Sequence, residues 1–258
     1  MISFTATQLD SWIAAYAFPL VRILGFAAST PIWGASILPR RVRLLLGLAI
    51  TIAVAPTLPT MPTVAPGSLA GLWIMTIQLL LGLAMGFAAK VVFSAIDLAG
   101  EFIGAQMGLG FATFYDPNNA SQSPVITEFI NLLALLLFLS LNGHLLFIAA
   151  LAESFQLIPV SAQLFSHSSW LNLVNLAGQI FSLGLLLSLP VLVALLITNF
   201  ALAILTRAAP QLNIFSLGFP LTLLGGFIAM MICMNYLASP LQTLFEIALN
   251  AMLGFIKN

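Results

Sequence analysis

Long runs of apolar residues alternate along this chain with short joints that are polar or rich in proline. The runs are continuous and exceed the roughly ten alternating residues of a membrane β-strand, so they predict α-helices. The predicted helical segments cover residues 11–37, 43–58, 69–113, 125–157, 174–207 and 214–256. The pattern therefore predicts an all-α fold built from helical hairpins.

The joints indicate how the segments are oriented. The first joint, LPRRVRL, is basic, whereas the second, APTLPTMPTVAPGS, is rich in proline and carries no charge. Basic residues favour the cytoplasmic side of a membrane, so we expect the first joint and Arg207 to lie on that side. No basic residue precedes Arg22, and we therefore expect the first segment to stay in the mature chain instead of being cleaved as a signal peptide.

Composition agrees with a membrane location. The chain of 258 residues is 61% hydrophobic and only 5% charged, and its mean hydropathy is +1.14. Soluble domains carry about 25% charged residues, so this surface must be covered by lipid or by other proteins. The formal net charge of zero gives no reason to expect a nucleic-acid partner.

Several segments are too long for one crossing of a bilayer, which needs about 20 residues. Residues 69–113 would reach ~65 Å as one straight helix at 1.5 Å per residue. Residues 125–157 and 214–256 are also too long. Either these segments bend, or part of their surface is covered by protein within an assembly.

A polar stripe follows one predicted helix. Lys90, Ser94, Asp97 and Glu101 are spaced by four, three and four residues and so share one face. Ionisable residues within membrane segments face a protein interior or a water-filled path. Two interpretations stay open: contacts with neighbouring elements or subunits, or a position at the cytoplasmic interface with no further role.

Arg22 lies within an apolar segment, where a guanidinium is expensive unless it is paired. We expect a structural ion pair instead of a transport role. The candidate partners are Asp97, Glu101 and Glu128, or a carboxylate of another chain.

The sequence contains no GxSxG or HExxH motif, and its single cysteine, Cys233, lies in an apolar run. We therefore expect no catalytic residues, no metal site and no cofactor.

The stretch GEFIGAQMGLGFATFYDPNNASQSP, residues 100–124, is too polar to span a membrane and too apolar for an ordinary loop. Glycines at 100, 104 and 108 recur at one-turn spacing, as they do where membrane helices pack closely. Aromatic residues follow them, and the stretch then reaches the turn-forming sequence DPNN. This pattern favours a segment that packs tightly and then bends.

Four motifs resemble the FliR family of type III protein-export gates, which includes the equivalent subunits of virulence injectisomes. They are LPRRVRLLLGLAI, GEFIGAQMGLGFATFYDP, NGHLLFIAALAESFQLIP and TRAAPQLNIFSLGFPL. The motifs occur in the family's order, and the resemblance extends from the first helix to about residue 240.

The resemblance implies a non-enzymatic core subunit of the flagellar export gate in the bacterial inner membrane, standing partly above the membrane plane. Such subunits join several copies of FliP and FliQ in a helical channel for unfolded flagellar proteins, and FlhB joins that complex. It further implies a FliP-like part at 1–173 and a FliQ-like hairpin at 174–240 that turns at TRAAPQLN. The periodicity of residues 241–258 predicts an amphipathic C-terminal helix.

The family has a loop that plugs the closed channel, and by position it falls on residues 106–122. Glycines would let this loop turn within a narrow lumen, and its apolar side chains would seal the lumen. An ordinary re-entrant packing loop is the alternative. The implied gating residues are Gln106, Met107, Gly108, Gly110, Phe111, Phe114, Tyr115, Asp116 and Pro117. The candidates for inter-subunit or structural polar contacts are Arg22, Lys90, Asp97, Glu101 and Arg207.

A second class of function, a small-solute secondary transporter, would place its site at the broken element of residues 100–124. The sequence lacks a matching discontinuous segment in its other half, which argues against that class. The residues alone do not separate a flagellar system from an injectisome.

Overall fold

A computed structural model of the chain describes residues 6–34, 38–59, 61–110, 125–162, 167–209 and 214–257. Within these ranges the regular structure is helical and includes no strand, so the predicted all-α fold is confirmed. The helices are α1 (Ala6–Ser29), α2 (Pro31–Gly34), α3 (Arg40–Val54), α4 (Leu69–Gln106), α5 (Val125–Ser140), α6 (Gly143–Leu157), α7 (His167–Ala208) and α8 (Ile214–Lys257). A single 3₁₀ turn, Ala55–Thr57, follows α3.

Several of these helices are long and apolar enough to cross a membrane, which confirms the expected multi-pass character. Four such stretches lie among the described residues, and α5 with α6 qualifies as a further, interrupted span. The four stretches are Gln8–Ser29, Leu69–Gln106, Ser169–Ala208 and Gly218–Gly254. Because α4 continues for 38 residues without a break, bending at a break does not explain its excess length.

Two predicted segments are divided where the backbone cannot continue a regular helix. The first ends at Ser29, and Pro31 then opens α2, a position that proline tolerates because the first N–H of a helix needs no partner. The segment predicted at 125–157 is interrupted by Asn142, whose φ of 56° is left-handed. Asparagine is among the few non-glycine residues that adopt this conformation readily.

The chain divides into two compact units, each drawn from separate stretches of the sequence. The first comprises the described residues of Met1–Val91, Asn142–Ala177 and Glu246–Asn258, and the second those of Val92–Leu141 and Gly178–Phe245. The division into FliP-like and FliQ-like parts rests on resemblance and stays a prediction.

In the first unit, glycine brings α1 and α4 into backbone contact. A Cβ atom built on Gly82 would lie 2.8 Å from the Phe26 nitrogen, and one on Gly86 would lie 2.7 Å from the Phe26 carbonyl oxygen. Helices in membranes approach closely at such small residues. Phe26 also meets Phe147 of α6 edge to face, with ring centroids 6.3 Å apart. Phe26 thus lies at the centre of this unit's core.

In the second unit, Gly100 of α4 packs against the backbone of Thr127 in α5. The Phe93 and Phe138 rings lie 5.8 Å apart, and Phe138 and Phe245 lie 5.1 Å apart. Both pairs are edge-to-face, an arrangement that aromatic rings prefer. These contacts hold the second half of α4 against α5 and α8.

Residues 241–257 continue α8 and do not form a separate helix, since Pro240 lies inside it. Their burial follows the amphipathic pattern. Phe245 and Ala248 are buried, whereas Glu246 and Asn250 are exposed. The side chains of Glu246 and Asn250 are therefore accessible.

Candidate functional site

The structure describes the beginning of the predicted plug, where the chain leaves α4. The Leu109 N–H donates to the Gly104 carbonyl and the Gly108 N–H donates to the Ala105 carbonyl, both at 3.0 Å. Gly108 has a φ of 85°. These are the two hydrogen bonds and the left-handed residue of a Schellman motif, which satisfies the last carbonyls of a helix. α4 therefore ends at a defined glycine cap.

Met107, which lies between the last residue of α4 and Gly108, is held by α8. Met107 is completely buried, and the Thr222 hydroxyl donates to its carbonyl oxygen at 3.3 Å. Gly226 leaves the space that the Met107 side chain fills, since a Cβ there would lie 2.6 Å from Met107 Cγ. The described start of the segment is thus fixed by backbone and side-chain contacts within the second unit.

The remaining predicted gating residues differ in what the structure says of them. Gln106 is half-buried at the end of α4, and Gly110 is exposed. The others lie outside the described residues, and their role as a plug stays a prediction. They are Phe111, Phe114, Tyr115, Asp116 and Pro117.

The polar stripe of α4 lies along the least buried face of that helix. Lys90 and Glu101 are exposed, while Ser94 and Asp97 are half-buried. Asn131 of α5 donates from Nδ2 to Asp97 Oδ1 at 2.6 Å. Among the described residues, no group of His, Cys, Asp and Glu side chains is arranged to hold a metal ion. The stripe therefore combines internal hydrogen bonding at Asp97 with the exposed charges of Lys90 and Glu101.

Two further charged side chains lie at helix ends where the helix dipole favours their charge. Arg207 is exposed in the last turn of α7, and Glu128 is exposed in the first turn of α5. Cations near a helix C-terminus and anions near an N-terminus interact favourably with the helix dipole. Both side chains thus have a local stabilising interaction, and both are accessible.

Arg22 is the charged side chain for which the structure gives the most detailed environment. It is completely buried. Its Nε donates to Gln78 Oε1 at 2.8 Å, Nη2 donates to the same oxygen, and Nη1 donates to Ser154 Oγ at 3.1 Å. Nη2 also donates to the Ile158 carbonyl at 3.0 Å. The guanidinium thereby connects α1 with α4 and with the end of α6.

An aromatic face completes this environment, because Arg22 Cζ lies 4.0 Å from the centroid of the Phe155 ring. An amide, a hydroxyl, a carbonyl and a ring thus replace the carboxylate expected from the sequence. Neither Gln78 nor Ser154 is among the partners expected from the sequence. Gln78 gave a signal, because it is a polar residue in a largely apolar stretch, MTIQLLL, whereas Ser154 lies in the polar stretch AESFQL and gave none.

Comparison with known proteins agrees with the arrangement of long apolar helices. Residues 13–248 match the family described as bacterial export proteins, family 1. The flagellar biosynthetic protein FliR of Escherichia coli K12 is 41% identical over 257 residues, covering 100% of this chain and 98% of that protein. FliR of Pectobacterium carotovorum is 42% identical over 230 residues (89% and 88%), and FliR of Bacillus subtilis 168 is 29% identical over 241 residues (92% and 93%). This chain therefore belongs to the FliR family of bacterial export proteins.

Proposed function

We propose that this chain forms, with several copies of FliP and FliQ, the channel through which unfolded flagellar proteins leave the cytoplasm. FlhB joins the complex, and residues 106–122 close the pore when no substrate passes. As a member of this family, the chain is a component of the flagellar export apparatus in the bacterial inner membrane and is not an enzyme. The proposal concerns what the chain does within that apparatus.

The plug assignment is supported by the contacts that hold the first residues of the segment 106–122 in place. A segment that closes a pore must return to the same place after each substrate has passed. The glycine cap at Gly108 and the buried Met107 meet this requirement, because both hold the chain where it leaves α4. On the other side of the segment, the next described residue is Val125, the first residue of α5.

The channel assignment is supported by apolar surface that this chain does not cover. Phe181 and Phe200 of α7 are 70% and 69% exposed, and Tyr236 of α8 is 76% exposed. Exposed apolar patches of this kind mark contacts with lipid or with other proteins. Their location on helices of 42 and 44 residues, each about twice the length needed for one crossing, favours partner chains over lipid alone.

Residues 174–240 are proposed as the FliQ-like hairpin. A Cβ atom built on Gly225 of α8 would lie 3.3 Å from Thr198 Cγ2 of α7, so the two helices pack closely there.

Lys90, Glu101 and Arg207 are exposed, and we assign them to polar contacts with neighbouring subunits. Opposite charges on those subunits would be their partners.

Replacing Phe111 and Phe114 together by serine tests the plug. In cells that assemble the full export gate, the double variant should raise the conductance to small ions several-fold, because a polar segment no longer excludes water from the lumen. The matched control replaces Phe87 by serine, an exposed phenylalanine of α4 outside residues 106–122, and should leave the closed pore tight. Ion leakage no greater than that of the intact complex, in a variant that still assembles, would refute the assignment.

A further inference from the structure

The second unit contains a cavity of about 340 Å³. α4, α5, α7 and α8 each contribute to its wall. Its floor consists of buried side chains, among them Ala99 of α4, Ile130 of α5, Val191 of α7 and Met230 of α8. The cavity is thus part of the packing of four helices.

The cavity opens to the surroundings through exposed side chains. Phe129, Phe227 and Met231 line it and are 45%, 54% and 69% exposed. By length and composition α4, α7 and α8 qualify as membrane spans, and α5 does so only together with α6. A molecule entering through this opening therefore comes from lipid or from a neighbouring protein.

The chemistry of the wall excludes water as a stable occupant. Every lining residue within the described part of the chain is apolar, whereas a buried water molecule needs two to four polar partners. Methionine contributes to the wall at Met230 and Met231, and its flexible, polarizable side chain adapts to irregular apolar ligands. The wall thus suits hydrocarbon.

The volume of the cavity indicates the scale of its occupant. About 340 Å³ lies at the lower end of the range for pockets that bury small ligands, roughly 300–1,000 Å³. That is the scale of part of one hydrocarbon chain and not of a whole helix. We propose that the cavity binds one acyl chain of a membrane phospholipid.

Dispersion contacts and mass action drive this binding. An empty cavity forfeits the contacts that its lining atoms would make with an occupant. Lipid tails are as apolar as leucine, so transfer from the bilayer brings no hydrophobic gain. The site should therefore select for a slender acyl chain and show no preference for a headgroup.

A photoactivatable phospholipid tests the proposal on the full-length chain, purified together with the membrane proteins that assemble with it. The probe carries a diazirine near the end of one acyl chain, and peptide mass spectrometry locates the crosslinks. Crosslinks should concentrate on the peptide containing Phe227, Met230 and Met231. A probe with the diazirine in its headgroup should label that peptide at least fivefold less.

Two variants fill the cavity by different routes. Ala99→Phe occupies the floor, and Met231→Trp narrows the opening without touching a buried residue; each should reduce acyl-chain labelling at least fivefold. Ala201→Phe, at an exposed position of α7 that does not line the cavity, should leave labelling unchanged. If Ala99→Phe fails to assemble, the Met231→Trp result decides.

Three results would overturn the proposal. They are the absence of acyl-chain crosslinks at the cavity in the intact complex, labelling that both assembled variants leave unchanged, and acyl-chain crosslinks on a partner protein in place of the cavity wall, as expected if the partner fills the cavity. None of these depends on whether residues 106–122 close a pore, so the plug and the lipid site can fail separately.

Discussion

At the scale of single residues, Arg22 joins three helices through partners that, within the described part of the chain, are all uncharged. Its donors reach two side chains and one carbonyl, and its flat face lies on the Phe155 ring. Hydrogen bonds from a charged donor are roughly twice as strong as neutral ones. A fully buried arginine can therefore be held by neutral partners when several of them converge.

Replacing Arg22 by methionine should lower the free energy of unfolding by about 2–4 kcal/mol. The change removes the guanidinium N–H groups that donate to Gln78 Oε1 and Ser154 Oγ, and it leaves the buried Gln78 oxygen without these donors. Thermal unfolding of the purified complex measures the effect. Arg40→Met, at an exposed position in the first turn of α3, is the control and should change stability by less than about 0.5 kcal/mol.

The double variant Arg22→Met, Gln78→Met sharpens this test. The double variant no longer has a buried amide at position 78. Its loss in the free energy of unfolding should therefore be smaller than the sum of the losses of the two single variants, by about 0.5–3 kcal/mol. Unchanged stability of Arg22→Met combined with lost export would instead favour a transport role for the arginine.

The sequence revealed that Arg22 needs a partner but not which one. A charge within an apolar run is conspicuous, and its cost in a membrane follows from general physics. Its partners lie 56 and 132 residues away along the chain. They carry no charge that would mark them as a match, so only the fold reveals them.

At the scale of elements, glycine decides how closely helices approach. Gly82→Ala would push a methyl group against the backbone of α1 at Arg22 and Phe26. Because backbone cannot move as a flexible side chain can, we expect a loss of about 1–3 kcal/mol in the free energy of unfolding. Thermal unfolding of the complex again measures it.

Gly178→Ala is the matched control. Among the described residues, no atom outside its own helical surroundings lies within 4 Å of a Cβ built there, and the residue is exposed on α7. Alanine is the better helix former, so stability should stay constant or rise by up to about 1 kcal/mol. Equal effects of the two changes would show that helix propensity, not the α1 contact, governs both positions.

The apolar pattern predicted the existence of the long helices, because their length leaves little alternative. Their interruptions were harder to see. The break at Asn142 depends on one left-handed residue within an apolar segment, whereas Pro190 and Pro220 lie inside continuous helices. Neighbouring helices can satisfy the backbone groups that proline leaves unpaired in a membrane, so proline alone does not mark a helix end.

At the scale of the whole molecule, exposed apolar surface predicts dependence on partners. Expressed alone, the chain should aggregate or be degraded, and co-expression with FliP and FliQ should yield one heteromeric particle. Mass measurement of the detergent-solubilised particle checks both statements. A stable, well-folded monomer would contradict the export-gate assignment and would favour the small-solute transporter.

Physical reasoning and resemblance contributed differently at this scale. Composition and segment length alone indicate a membrane protein that needs covering by other chains, since so few residues are charged. The channel, the partners and the plug came from resemblance. No apolar pattern encodes which surface faces a lumen, because a lumen exists only once several chains have assembled.

The partners of Arg22 have a consequence for biosynthesis. Gln78 and Ser154 leave the ribosome long after α1, so the arginine first reaches the bilayer alone. A lone arginine at the centre of a membrane helix costs about 2.5–3.5 kcal/mol during insertion. The first helix should therefore remain near the membrane surface, or beside a chaperone, until α6 has been translated, and nascent chains that end before Ser154 should leave it exposed to proteases.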